Sequence, residues 1–275
     1  MSKKYFAEKL KTVLEVKNRI IKEFGGKPLN YTKLLNEYLG YGRKLKPYLA
    51  DTFGILNKAV DRGENVVFEG AHGVFLDTDW GTYPYVTASP ILPAYIGIGA
   101  GVSPRKLTRI IGVAKVYLTR VDTGACPMPT EMKGEIAENL REKAHEYGAT
   151  TGRPRRLGWL DLVQLRFAAR LCEFTELAII KADIVSGFKS LKVCVGYQYR
   201  GRRVDYLDID TEDLRKVKPV YKEFPGWKED LDKIREYKDL PKNTRNYLEF
   251  IEKFVGVPIK LISVGPSLEA TIVKK

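Results

Sequence analysis

The strongest constraint on the fold is a succession of elements in the first quarter of the chain. An amphipathic pattern over residues 46–61 ends at Gly63, and a short apolar run follows at residues 65–68. The glycine-rich loop Glu69-Gly70-Ala71-His72-Gly73 comes directly after that run. Helix, glycine turn, strand and glycine-rich loop is an order typical of α/β folds, in which ligands gather at the carboxyl ends of strands. We therefore predict an α/β fold with the loop at the end of a buried strand, although a tight turn over a buried glutamate would also explain it.

Three helices are predicted before this loop. The first covers residues 5–24 and stops at Gly25-Gly26, the second begins at Thr32 as its cap, and the third covers residues 46–61. We expect a helical segment over residues 1–64 and an α/β portion over residues 65–275.

The α/β portion alternates buried runs with amphipathic ones. Strands are predicted at residues 109–120, 177–180, 191–197, 204–207 and 258–263, with 109–120 central and 258–263 last. Helices are predicted at residues 133–145, 160–172 and 243–255. Residues 208–241 are charged and are expected to be irregular. The predicted fold is a mixed, mostly parallel central sheet flanked by helices and truncated at its N-terminal strands.

Composition limits the class of protein. The 275 residues are 44% hydrophobic, which is ordinary for a globular chain, and no apolar run reaches the roughly 18 residues that cross a membrane. The N-terminus is charged and lacks the apolar core of a signal peptide. The three cysteines, Cys126, Cys172 and Cys194, are odd in number and contain no Cys-x-x-Cys pair. This argues against a disulfide framework or a zinc site and favours a reducing cytoplasm.

Charge points to anionic partners. The formal net charge is +13, which suits either nucleic acid or small phosphorylated substrates. Residues 147–161 concentrate this charge in the sequence Tyr-Gly-Ala-Thr-Thr-Gly-Arg-Pro-Arg-Arg-Leu-Gly-Trp-Leu-Asp. Glycine and threonine allow close backbone approach and supply donors, and the arginines form a cationic fork for carboxylate or phosphate. A basic surface turn before an ordinary helix is the alternative.

Two further motifs follow predicted buried strands. Lys181-Ala182-Asp183 follows the strand at residues 177–180, and Ser263-Val264-Gly265-Pro266 ends the strand at residues 258–263. An aspartate carboxylate can accept two hydrogen bonds from the N1–H and the exocyclic amine of guanine, and a lysine stem can pack on the base.

In their order and spacing, four stretches resemble adenylosuccinate synthetase, the family that joins aspartate to IMP with GTP. They are residues 68–87, with Phe68-Glu69-Gly70-Ala71-His72-Gly73 and Gly81-Thr82-Tyr83-Pro84-Tyr85-Val86-Thr87, residues 147–161, residues 180–183 and residues 263–266. The resemblance implies a ligase of AMP and purine biosynthesis, with GTP as co-substrate and Mg²⁺ as cofactor.

The resemblance also implies residue roles. Thr87 and Arg153 would contact IMP, as would His72, which replaces a glutamine of the family. The aspartate loop would comprise Ala149, Thr150, Thr151, Gly152, Arg153, Pro154 and Arg155. The GTP contacts would be Arg155, Lys181, Asp183, Ser263, Val264 and Gly265.

Two motifs of the family do not occur in these 275 residues. They are Gly-Asp-Glu-Gly-Lys-Gly-Lys and Gly-His-Thr, which the resemblance associates with the phosphate loop, the catalytic base and acid and the Mg²⁺ ligands. We therefore expect the C-terminal part of such an enzyme, inactive alone, with no catalytic residue and no metal ligand of its own. Its expected partners are IMP, L-aspartate and GTP, a second copy in a homodimer, and an N-terminal fragment or separate subunit. Membrane and nucleic acid are not expected. A non-catalytic purine-nucleotide-binding protein derived from the family is the alternative.

Overall fold

The structure is a computed structural model that describes residues 2–121, 124–149, 152–204 and 209–274. The chain divides into two compact units, Met1–Ala59 and Val60–Lys275. No helix in the described ranges is both long and apolar enough to cross a membrane.

The first unit is helical, as the sequence predicts. It holds α1 (Lys3–Glu23), α2 (Tyr31–Leu45) and most of α3 (Thr52–Asp61). The cap of α2 is Asn30, whose side chain accepts a hydrogen bond from Lys33 N at 2.9 Å, so the prediction of Thr32 as the cap was wrong. The two long helices are tied by Asn18, whose side-chain amide pairs with both backbone polar groups of Leu29.

The third predicted helix divides in two. Residues Lys46–Tyr48 form a single 3₁₀ turn, and α3 begins at Thr52 after a break. The break has a local cause, because Leu49 is extended and the Asp51 carboxylate accepts from Gly54 N at 3.1 Å in the manner of a new helix cap.

The second unit is a mixed α/β structure flanked by helices, which confirms the predicted fold class, but its strands form two sheets. The helices are α4 (Ile96–Ala100), α5 (Glu135–Ala144), α6 (Leu162–Cys172) and α7 (Lys242–Val255). The strands are β1 (Ile111–Lys115), β2 (Tyr117–Arg120), β3 (Arg156–Asp161), β4 (Glu176–Ile180), β5 (Ser190–Tyr199), β6 (Arg202–Val204), β7 (Lys218–Pro225), β8 (Ile259–Ser263) and β9 (Thr271–Val273).

The first sheet has the order β1-β4-β8-β9. β1, β4 and β8 are parallel, with Lys115 beside Ile180 and Ile179 beside Ile262, and β9 runs antiparallel to β8. The carboxyl ends of the three parallel strands therefore meet at one edge. β9 also shows that β8 is not the last strand, contrary to the prediction.

The second sheet has the order β2-β3-β5-β6, and β7 also pairs with β5. β5 and β6 form the hairpin expected around Arg200-Gly201-Arg202, with Tyr197 opposite Val204, while residues 205–207 lie outside the described ranges. β7 falls in a stretch predicted to be irregular. The sequence does not indicate this strand, because three charged residues and two prolines interrupt the apolar residues of a half-exposed segment.

Three other predicted elements were wrong. Residues 65–68 form no strand in the described structure, and Val67 is 90% exposed. Residues 109–120 form two strands in different sheets, with β1 at an edge and Val113 67% exposed. Residues 156–161, after the arginines, form β3 rather than the start of a helix. Apolar periodicity alone does not show whether a short apolar run forms a strand, or which strand it pairs with.

Candidate functional site

Two of the predicted motifs meet at the carboxyl edge of the parallel sheet. Lys181-Ala182-Asp183 follows β4, and Ser263-Val264-Gly265 ends and follows β8. Ala182 N donates to Ser263 O at 3.3 Å, which joins the two turns directly. The parallel pairing of β4 with β8 thus places residues separated by about 80 positions in the sequence side by side.

The turn after β4 presents one acid and one base. Lys181 has a positive φ of 67°, and its Nζ donates to Ala144 O, the last residue of α5, at 3.3 Å. The Asp183 carboxyl is half-buried. Its burial raises its pKa, against the opposing charges of Lys181 and Lys143.

The turn after β8 is internally bonded. Ser263 Oγ donates to Gly265 O at 3.0 Å, and Val264 N donates to Ala270 O at 2.8 Å. A Cβ on Gly265 would lie 2.0 Å from Asp232 Oδ1, so the backbone there fits closely beside a carboxylate. The hydroxyl of Ser263 is therefore already engaged within the turn.

The arginine motif forms a closed loop between α5 and β3. Gly148 N donates to Arg153 O and Gly152 N to Gly148 O, each at 2.8 Å. Gly152 has a φ of 64°, a conformation that glycine adopts without strain. Ala149, Gly152, Arg153 and Pro154 are exposed, while Thr150 and Thr151 lie outside the described residues.

The three arginines have different environments, which their common sequence context did not suggest. Arg153 is exposed. Arg155 is half-buried, and its Nη1 lies 2.7 Å from Glu146 Oε2. Arg156 lies on β3 and forms a bidentate pair with Glu131, at 2.6 and 2.8 Å, while also donating to Cys126 O. Arg156 thus joins β3 to the turn at residues 126–131.

Glu146, the partner of Arg155, was not singled out from the sequence. Its side chain is 2% exposed and accepts from Lys115 Nζ at 2.6 Å and from Tyr117 OH at 2.7 Å. Burial acts to raise the pKa of Glu146, but these donors outweigh it and the pKa is lowered. Burial lowers the pKa of Lys115 in spite of Glu146, and burial raises that of Tyr117. The sequence signal that could have indicated Glu146 is an acidic residue immediately before a glycine-rich basic loop.

Lys115 connects this cluster to the sheet edge. It is the last residue of β1, it is paired with Ile180, and the charge of the following Lys181 contributes to lowering its pKa. The charge of Asp183 likewise acts on Tyr117. The structure therefore brings Arg155, Lys181 and Asp183 into one charged neighbourhood.

Two of the three predicted IMP residues, His72 and Thr87, lie on a segment of the chain separate from the arginine loop that contains Arg153. Thr87 N donates to Leu76 O at 2.8 Å, and its hydroxyl lies 3.4 Å from Ser89 Oγ. His72 is exposed with a φ of 70°. Both hydrogen bonds of Thr87 lie within residues 76–89.

Asp77 organises the turn from within. The residue is 0% exposed, and its carboxylate accepts from the backbone N–H groups of Asp79, Trp80 and Ile91 at 2.9–3.0 Å. Burial acts to raise the pKa of Asp77, and these backbone donors outweigh it, so the pKa is lowered. Arg215 lies in the 3₁₀ turn Asp213–Arg215, shortly before β7. Its side chain donates to Tyr85 OH at 3.1 Å and so connects the two turns.

Metal ligands are a separate question. The described ranges contain no cluster of three or more His, Cys, Asp or Glu side chains that could hold a metal ion. All three cysteines are buried thiols without a disulfide.

Comparison with known proteins gives a consistent result. Residues 1–272 match the family model described as adenylosuccinate synthetase. An adenylosuccinate synthetase from Clostridium botulinum (strain Loch Maree) is 48% identical over 271 residues, covering 98% of this chain and 63% of the relative. The corresponding protein from Clostridium perfringens is 45% identical over 272 residues, with 99% and 63% covered.

A solved structure of the same family is also similar to this chain. The fully ligated adenylosuccinate synthetase from Plasmodium falciparum superposes with a TM-score of 0.91 at 34% identity, over 100% of this chain and 64% of that one. The present chain thus spans a little under two thirds of the length of the proteins it matches.

Proposed function

Because the chain belongs to the adenylosuccinate synthetase family, we propose that it serves the GTP-dependent joining of IMP and L-aspartate into adenylosuccinate. The observation that carries this proposal is the sheet edge, where Lys181, Asp183 and the turn at residues 263–265 converge. The charges of Lys181 and Arg155 both act on Lys115, at the end of the neighbouring strand β1. An acid, cationic side chains and a closely packed backbone turn at one edge suit a purine base and its phosphates.

The nucleotide would bind at this edge. Asp183 would accept from the N1–H and the 2-amino group of guanine, and the Lys181 stem would pack on the base. The backbone of residues 263–265 would border the base. Arg155, held at the end of the arginine loop, would contact the rest of GTP.

IMP and aspartate would bind on the other side of the arginine loop. Thr87, with Arg153 and His72, would contact IMP, and the loop at residues 149–155 would close over the aspartate carboxylates. In the proposed reaction the γ-phosphoryl of GTP passes to the 6-oxygen of IMP, which releases GDP. The aspartate amine then displaces that phosphate. The arginines would stabilise charge on the transferring phosphoryl group.

The remaining features of the family are proposed in the same way. The protein would act in the cytoplasm as a homodimer, and Mg²⁺ would accompany GTP and neutralise phosphate charge, with its protein ligands outside the 275 residues. The family's base and acid belong to the motifs that these residues do not contain.

The base-reading role of Asp183 gives the first test. Asp183→Asn replaces one acceptor by a donor, so guanine loses a partner, whereas xanthine, with a carbonyl at position 2, gains one. We expect GTP affinity to fall by roughly 10- to 100-fold, which corresponds to an unpaired polar group at the site, and xanthosine triphosphate to become the preferred ligand. Calorimetric titration of both nucleotides measures this. Asp239→Asn, at an exposed position, is the control, and an unchanged GTP preference in Asp183→Asn would reject the assignment.

Turnover gives the second test. Each general acid or base group typically contributes about 10²- to 10⁴-fold, so the 275-residue chain assayed alone is expected to form no adenylosuccinate from IMP, aspartate, GTP and Mg²⁺. Adding an N-terminal fragment of a relative that carries both absent motifs should restore the formation of adenylosuccinate. The absorbance of adenylosuccinate measures this formation. Turnover by the chain alone would show that these residues contain the catalytic groups after all.

A further inference from the structure

We propose that Glu146 is a positioning residue that fixes the guanidinium of Arg155 for contact with GTP. The proposal rests on the proposed function, in which Arg155 belongs to the GTP site, and extends it to a buried residue beneath the loop.

Glu146 holds Arg155 at two points. Its Oε2 lies 2.7 Å from Arg155 Nη1, and its carbonyl oxygen accepts from Arg155 N at 2.9 Å. Glu146 therefore binds both the backbone N–H and the side chain of Arg155, the last residue of the loop. Arg141 adds a third tie, since its Nε donates to Arg155 O at 3.0 Å while its own carbonyl accepts from Glu146 N.

The carboxylate itself is fixed from the opposite side. Lys115 Nζ and Tyr117 OH both donate to Oε1, at 2.6 and 2.7 Å, which leaves Oε2 for Arg155. The Glu146 side chain is almost fully buried, whereas that of Arg155 is 30% exposed. The Glu146 carboxylate is thus fixed in the interior, and the Arg155 guanidinium that it binds is still partly exposed at the surface.

The charges around Glu146 also favour this role. Lys115 and Arg155 share one carboxylate, and Lys181 adds a third cation nearby. Without Glu146, two cations would share a poorly solvated region with no counter-ion, and the more exposed Arg155 would move away towards water. The Nε of Arg155 is buried and has no hydrogen-bond partner within the described residues, so one donor of this guanidinium is left unsatisfied.

The experiment compares GTP and IMP binding by calorimetric titration of the 275-residue chain. Glu146→Gln keeps the shape but removes the charge. We expect it to weaken GTP by about 10-fold, the loss of one charge-assisted hydrogen bond, and to change IMP affinity less than about 2-fold. Glu138→Gln, on the exposed face of α5, is the matched control and should change neither affinity.

A double-mutant cycle separates positioning from general damage. If Glu146 acts through Arg155, then adding Glu146→Gln to Arg155→Ala should weaken GTP little beyond Arg155→Ala alone. Additive losses, or equal losses for GTP and IMP, would overturn the proposal. Glu146→Asp keeps a buried negative charge and should fold if the glutamine variant does not. It is expected to bind GTP less tightly than the parent chain, with IMP unaffected, and parent-like GTP binding would count against the proposal.

The outcomes also distinguish this inference from the proposed function. If Arg155→Ala leaves GTP affinity unchanged, or the unaltered chain binds no GTP, the proposed GTP site fails and this inference with it. If Arg155→Ala weakens GTP but Glu146→Gln does not, only the positioning role of Glu146 fails.

Discussion

Single carboxylates in this molecule show how environment decides what an acid does. Asp161, at the junction of β3 and α6, is fully buried and accepts from Val163 N and Gln164 N at 3.0 and 3.2 Å and from the hydroxyl of Tyr197. The carboxylate of Glu146 is paired with Lys115 and Arg155, whereas the groups that oppose burial at Asp161 are neutral donors. Burial therefore raises the pKa of Asp161 from an ordinary 3.8 to about 6.

This raised pKa predicts a specific pH dependence of stability. The folded state binds the Asp161 proton more tightly than the unfolded state, so its contribution is most favourable below about pH 4 and is lost as the pH rises to about 6. The shift corresponds to about 3 kcal/mol of unfolding free energy. Asp161→Asn, which retains capping ability, should remove this fall. Urea unfolding at pH values from 4 to 7 measures it.

The comparison needs another capping acid without burial. Asp210 is exposed, and its carboxylate accepts from Asp213 N at 2.8 Å. Asp210→Asn leaves the Asp161 carboxyl in place, so this variant should show the same fall in stability as the parent chain. A profile for Asp161→Asn that matches the parent's would show that Asp161 is ionised without cost.

Among the elements, β5 and β7 depend on one close backbone approach. After β7 the chain turns at Gly226, whose N–H donates to Lys189 O at 3.0 Å and whose carbonyl accepts from the Asn243 side chain at 2.7 Å. A Cβ at Gly226 would lie 1.8 Å from Phe188 O. Since the obstacle is backbone, it cannot rotate away as a side chain would. Trp227 next to it is 2% exposed, so the turn also anchors the core.

Gly226→Ala is therefore expected to lower the free energy of unfolding by about 3 kcal/mol, the upper end for overpacking in a close-packed site. Chemical denaturation monitored by tryptophan fluorescence measures the loss. Gly99→Ala in α4, where nothing lies within 4 Å of the added Cβ, should be neutral or slightly stabilising. Equal stability of both variants would mean that β7 separates from Phe188 easily.

For the molecule as a whole, charge is the dominant property. A net charge of +13 produces a positive field that attracts polyphosphate ligands over distances beyond direct contact. Among the cations, Arg156 is paired with Glu131 and Arg155 with Glu146. The net charge of +13 already includes these acids.

This field predicts salt-sensitive nucleotide binding. Raising KCl from 0.05 to 0.5 M shortens the screening length, so the affinity for GTP should fall by roughly 10-fold. Guanosine carries no phosphate charge and should bind with an affinity nearly independent of salt. Titrations of both ligands at several KCl concentrations test this, and parallel salt dependences would contradict the role of the field.

The sequence by itself determined the class of fold, the helical first unit and the family. Amphipathic periodicity fixed α1 and α7, because a helix buries one face whatever its neighbours are. Glycines at positive φ, such as Gly25 and Gly256, marked helix ends through local backbone sterics alone. The motifs around Arg153, Asp183 and Ser263 indicated the family because their residue types and order are specific.

Only the tertiary structure decided which strands pair and which arginine does what. Strand pairing joins residues far apart in the sequence, so the division of residues 109–120 between two sheets left no local trace. Arg155 and Arg156 have the same neighbours in the sequence, yet they face Glu146 and Glu131 because successive residues of an extended chain point to opposite sides. Glu146 itself became visible only when folding removed its carboxylate from water and required Lys115, Tyr117 and Arg155 to compensate.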